Sequence, residues 1–159
     1  MGEFAKDVEK ILDDHAERQR NRSQIDQGHT ERSRTFREEF LRLRGAIIQP
    51  AMAEAARSLS EKGQEASVTM EQSEVKGLVK HPGDLVALIV KDRGPVGRQV
   101  LCYQCVTGTT DRIWIWERGV RSQDQKSRDP ERTASLDVVS NRETVQTEIL
   151  GFLKLAFSD

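Results

Sequence analysis

The stretch that decides the fold is LVALIVKDRGPVGRQVLCYQCVTGTTDRIWIWER, residues 85–118. Three apolar runs, 85–91, 98–106 and 112–118, are separated by Asp92-Arg93-Gly94-Pro95-Val96-Gly97 and by Thr107-Gly108-Thr109-Thr110-Asp111. The runs are short and rich in β-branched and aromatic residues, and the gaps are built from turn formers, so they read as strands joined by tight connections. Connections this short leave no room for a crossover, and the strands are therefore expected to be adjacent and antiparallel.

Working outward, Ala66, Val68 and Met70 alternate with Ser67, Thr69 and Glu71, which predicts a half-exposed strand before the turn His81-Pro82-Gly83-Asp84. The meander thus covers 66–118. Residues 119–132 contain a single large apolar residue, Val120, and read as an exposed loop, while Ala134–Val139 can add a fifth strand. Ser140-Asn141-Arg142-Glu143 has the spacing of a capping box and opens a C-terminal amphipathic helix over 141–157, with Val145, Ile149, Phe152, Leu153, Ala156 and Phe157 on one face.

Toward the N-terminus, Phe36, Phe40, Leu43 and Ile47 recur at 4-3-4 spacing beside a second row, Leu41, Ile48, Met52, Ala55 and Leu59. This predicts a long helix over 30–62, ended by Gly63 and kinked or divided at Pro50, which cannot donate to Ala46. Residues 3–15 carry Phe4, Val8, Ile11 and Leu12 on one stripe of a short helix. Between them, 16–35 has Ile25 as its only large apolar residue and reads as a polar linker or a solvated helix. The expected division is a helical arm with polar linker, 1–29, and a single α+β domain, 30–159.

The chain has 159 residues, with 25 Lys+Arg against 26 Asp+Glu. A balanced charge gives no whole-molecule steering toward nucleic acid or anionic lipid. The longest apolar run, Leu85–Val90, is far short of the ~20 residues that span a bilayer. Charges at Glu3, Lys6 and Asp7 precede any apolar stretch, so neither a secretory signal nor a myristoylation site is expected, and the expected compartment is the cytoplasm.

Candidate chemistry is sparse. Cys102-Tyr103-Gln104-Cys105 has redox-motif spacing, but on a strand residues three apart point to opposite faces, so the thiols cannot meet and are expected to be structural. His15, His29 and His81 are scattered, which gives no metal-ligand spacing, and no phosphate loop or nucleophile elbow is present. No metal, cofactor or catalytic residue is expected. Arginines 18, 20, 22, 32, 34, 37, 42 and 44 are interleaved with five acids, a pattern of a solvated helix face rather than a phosphate-binding surface.

If both hairpins are symmetric about their turns, Val86, Leu88, Val90, Leu101, Tyr103, Cys105, Ile113 and Ile115 share one sheet face. Leu85, Ala87, Ile89, Val100, Cys102, Gln104, Val106, Trp114 and Trp116 share the other. Both faces are apolar, yet one face suffices for the helices. The second therefore needs a helix, a subunit or a ligand to cover it. The seam Phe36, Phe40, Leu43 and Ile47 has coiled-coil spacing and is a second candidate contact. These features point to a non-enzymatic, self-associating protein-interaction module, a homodimer, with no membrane or nucleic-acid partner. The alternative is a small-molecule-binding protein or enzyme whose pocket wall is Trp114 and Trp116. A third reading is a nucleic-acid binder acting through the arginine-rich linker.

Overall fold

Pro50 lacks the N–H that an α-helix requires of its interior residues, and the backbone answers by changing pitch just before it. Helix α1 (Gly2–Leu43) gives way to a π-helical turn at Arg44–Ile48, and α2 (Gln49–Glu61) starts with Pro50 in its first turn. The Gln49 N–H donates to the Arg44 carbonyl, five residues back, so the wider turn absorbs the donor that proline removes. The long helix is thus two α-helices meeting at a π turn. Gly63, at φ +83°, ends α2 as expected: its N–H donates to Ser60 and the Gln64 N–H reaches back to Leu59, the two bonds of a Schellman cap.

This computed structural model describes residues 2–71, 83–91, 98–108, 110–119 and 131–157, without the side chains of 23–29. Residues 72–82, with His81 and Pro82 of one expected turn, the expected turn at 92–97, residue 109 of the next, and residues 120–130 of the expected loop lie outside the described residues. The chain divides into two compact units, Met1–Thr35 and Phe36–Asp159. In the first, the described residues are helical throughout, so 16–35 takes the solvated-helix form rather than that of a linker. The acids and bases explain this. Asp14 and Arg18 stand four apart, Glu17 and Arg20 three apart, spacings that put opposite charges side by side on a helix.

The second unit is α+β. Strands β1 (Ala66–Thr69), β2 (Leu85–Lys91), β3 (Arg98–Val106), β4 (Arg112–Arg118) and β5 (Glu131–Ala134) form one antiparallel sheet in the order β1-β2-β3-β4-β5. Then come a short helix α3 (Leu136–Val139) and α4 (Arg142–Ala156). Two local expectations are corrected. The fifth strand is Glu131–Ala134, beginning in the last two residues of the expected loop, because Glu131 and Arg132 find ion-pair partners on β4; most of the expected strand at 134–139 is α3, whose Leu136 and Val139 share a helical face. The cap of α4 is Asn141, one residue later than expected: its side chain accepts from the N–H groups of Glu143 at 3.0 Å and Thr144 at 3.3 Å. The Ser140 hydroxyl instead donates to the Asp137 carbonyl and closes α3.

The hairpin registers pair Val86 with Tyr103, Leu88 with Leu101, Cys102 with Trp116 and Gln104 with Trp114. Each is symmetric about its turn, so the two face memberships read from the sequence hold. Val86, Leu88, Leu101, Tyr103, Cys105 and Ile113 join Phe40, Leu43, Ile48, Met52, Val145 and Phe152 in the main core, with α2 and α4 over that face. Leu85, Ala87, Ile89, Val100, Cys102, Trp114 and Trp116 form a separate cluster on the opposite face.

Candidate interaction surfaces

The two tryptophans sit two residues apart on β4 and so project from the same face. Their ring centroids are 6.1 Å apart at 45°. Trp116 is fully buried, its indole N–H donates to Gln104 Oε1 at 3.2 Å, and the Arg118 guanidinium lies 5.2 Å from its ring centre. Arg118 is in turn held by Glu131 at 2.6 Å. Trp114 is 6% exposed and Trp116 0%, so both rings are buried within the single chain. A cleft of about 370 Å3 on the β4–β5 edge touches Trp114 between Arg112 and Thr133.

The coiled-coil seam is corrected more sharply. Phe40 and Leu43 are 0% and 2% exposed in the main core, and Phe36 and Ile47 pack against it. The sequence showed two apolar rows on this helix segment and assigned only one to the sheet; the fold buries both, because the π turn re-aims α2 relative to the row that precedes it. Phe36, Phe40, Leu43 and Ile47 are therefore core residues of the unit rather than a free contact.

The arginine-rich segment is likewise partly committed. Arg37 pairs with Asp84 at 2.5 Å, Arg42 with Glu39, and Arg44 donates to the Leu85 carbonyl at 3.2 Å. The Arg37 and Arg44 contacts tie the helical segment to the start of β2, while the Arg42 pair lies within the helix.

Cys102 and Cys105 are free thiols, buried in different clusters on opposite faces of the sheet. Burial raises the Cys105 pKa to about 11, helped by the nearby Asp84 and Asp111 carboxylates, and pushes Cys102 well above its usual range. Both shifts favour the neutral thiol. Among the described residues, no group of three or more His, Cys, Asp or Glu is placed to hold a metal ion, and no helix is long and apolar enough to cross a membrane.

One polar cluster escaped sequence reading. Glu117, on β4, faces the main core with its side chain 2% exposed, and it accepts from Arg132 of β5 at 3.1 Å. The same Arg132 nitrogen reaches Glu148 of α4 at 2.6 Å. Burial works against the guanidinium charge, but the two carboxylates outweigh it and raise its pKa. The triad fastens α4 to the β4–β5 edge. No motif marks it, because its members are brought together by register and helix docking alone.

Most of the large apolar side chains left exposed among the described residues lie on helices. In the first unit Phe4 is 78% exposed, Val8 41%, Ile11 64% and Leu12 60%. In the second, a groove of about 450 Å3 runs between α2 and α4, with Leu150 on its rim 56% exposed. Comparison with protein-family models, with curated proteins and with solved structures finds no match to this chain.

Proposed function

We propose that the protein is a non-enzymatic, self-associating interaction module of the cytoplasm. The observation that carries this reading is the stripe Phe4, Val8, Ile11 and Leu12, four large apolar side chains left 41–78% exposed on one face of a helix. Scattered apolar residues on a surface need no explanation, but a contiguous row at 4-3-1 spacing on a helical unit does. Residues 2–17 around it carry six acids against two lysines, which opposes an anionic membrane and favours protein.

Burying a large apolar side chain contributes roughly 1.5–3 kcal/mol, so the exposed fractions of these four are worth about 4–7 kcal/mol per helix. That is of the same size as the ~4–15 kcal/mol that association costs. The stripe alone therefore supports a weak assembly, and a stable one requires a further contact. Light scattering on the intact protein and on the double variant Phe4→Glu, Ile11→Glu tests the reading. The account expects the variant to lose mass relative to the unmodified chain; equal masses at every concentration would remove the stripe from the interface.

A further inference from the structure

From the groove between α2 and α4 we infer that a second copy of this chain docks there across a two-fold axis through Ser58, with Glu54 of each copy meeting Lys62 of the other. The inference rests on the self-association proposed above and adds where and in what register it occurs. Three features of the groove carry it. Its floor is apolar, from Ile149 and Leu153 of α4 and Leu59 of α2, and its rim residue Leu150 is 56% exposed. The α2 wall is lined by small side chains, Ala55 and Ser58, so another helix can approach closely. Finally, the charges on that wall are Glu54 and Lys62, opposite in sign and each four residues from Ser58.

The charge order selects the occupant. An isologous interface requires that the patch be complementary to its own image, residue i meeting j while j meets i. Rotating α2 by a two-fold through Ser58 exchanges positions 54 and 62, at about 1.5 Å per residue on either side, and so places each carboxylate against an ammonium. A parallel arrangement would put like charges together. Glu54 is exposed and accepts from Arg142 at 3.3 Å through Oε2, and a carboxylate has the acceptor capacity for a further cation. Helices of 13 and 15 residues present a face of about 20 Å by 20 Å, roughly 400 Å2 per copy, half the ~800 Å2 per partner of a standard-size interface. This interface is weak by itself, which matches the need for a second contact.

The test uses the full chain. Ser58→Cys under mild oxidation with copper phenanthroline is expected to give a covalent dimer through residue 58, the native thiols being buried. Glu54→Lys and Lys62→Glu are each expected to weaken self-association at least tenfold in sedimentation equilibrium, and the double exchange to restore it. A dimeric wild-type chain whose Ser58→Cys variant stays uncross-linked and whose charge exchanges have no effect overturns the groove assignment and leaves self-association standing. A wild-type chain that is monomeric at several hundred micromolar overturns both.

Discussion

Replacing Arg132 with Met tests the polar triad, because Met keeps most of the apolar stem while removing the guanidinium that links Glu117 to Glu148. Glu117 is 2% exposed and would lose this ion pair, whereas Glu148, at 26%, can turn to water. Breaking a buried pair from one side costs ~3–5 kcal/mol; Arg132 is itself 21% exposed, which places the expected loss near the lower end, about 3 kcal/mol. With a urea m-value of about 1–3 kcal/mol per molar for a unit of this size, the midpoint falls by roughly 1–3 M. Trp114 and Trp116 are buried on β4, beside the triad, so their fluorescence reports the transition. Glu148→Ala should cost under about 1 kcal/mol, since Arg132 keeps Glu117. The pair Glu117→Leu, Arg132→Met should regain most of the loss, because apolar residues need no partner. The reasoning fails if Arg132→Met unfolds within about 0.5 kcal/mol of the wild type, or if the double variant is no more stable than the single one.

Three further outcomes follow from local geometry. A Cβ at Gly83 would lie 2.1 Å from the Cys105 carbonyl oxygen, so Gly83→Ala forces β2 and β3 apart at their pairing edge and should cost at least about 2 kcal/mol, read from the melting temperature. Asn141→Ala removes the acceptor for two N–H groups of α4 and should cost about 1 kcal/mol in urea unfolding, while Ser140→Ala should leave the α4 cap intact. The buried thiols should resist alkylation at pH 8 in the folded protein and react once it is unfolded. Because the Cys105 pKa is about 11 in the fold against 9.0 for an ordinary thiol, the unfolded state gives up this proton first as the pH rises. Stability from this group is therefore complete below about pH 9 and is lost toward about 11, and Cys105→Ala should flatten that fall.

How much of this was legible in the sequence varies by element, for physical reasons. The meander was legible because turn formers at 107–111 and alternation at 112–118 allow few registers, and a slip by one residue would have thrown Trp114 and Trp116 onto the wrong face. Gly63 was legible as a helix end because only a residue at ease with positive φ closes that cap. The helix through 16–35 was not, since its support is charge spacing rather than an apolar stripe, and composition reads it as a linker. β5 was hidden because Glu131-Arg132-Thr133-Ala134 has no strand pattern of its own and is fixed by partners on β4 and α4. Among candidate contact residues, Phe36, Phe40, Leu43 and Ile47 were misassigned because periodicity shows which residues share a row and not what covers the row. The α2–α4 groove needs two helices brought together by the sheet, a relation between residues 51–62 and 146–153 that no local window contains.

The most direct test of the proposed self-association is sedimentation equilibrium of the intact chain from low to several hundred micromolar. The account predicts a weight-average mass that rises from the 18.0 kDa of one chain toward twice that value, with a midpoint in the micromolar range set by two small contacts. A mass fixed at 18.0 kDa over the whole range would contradict it.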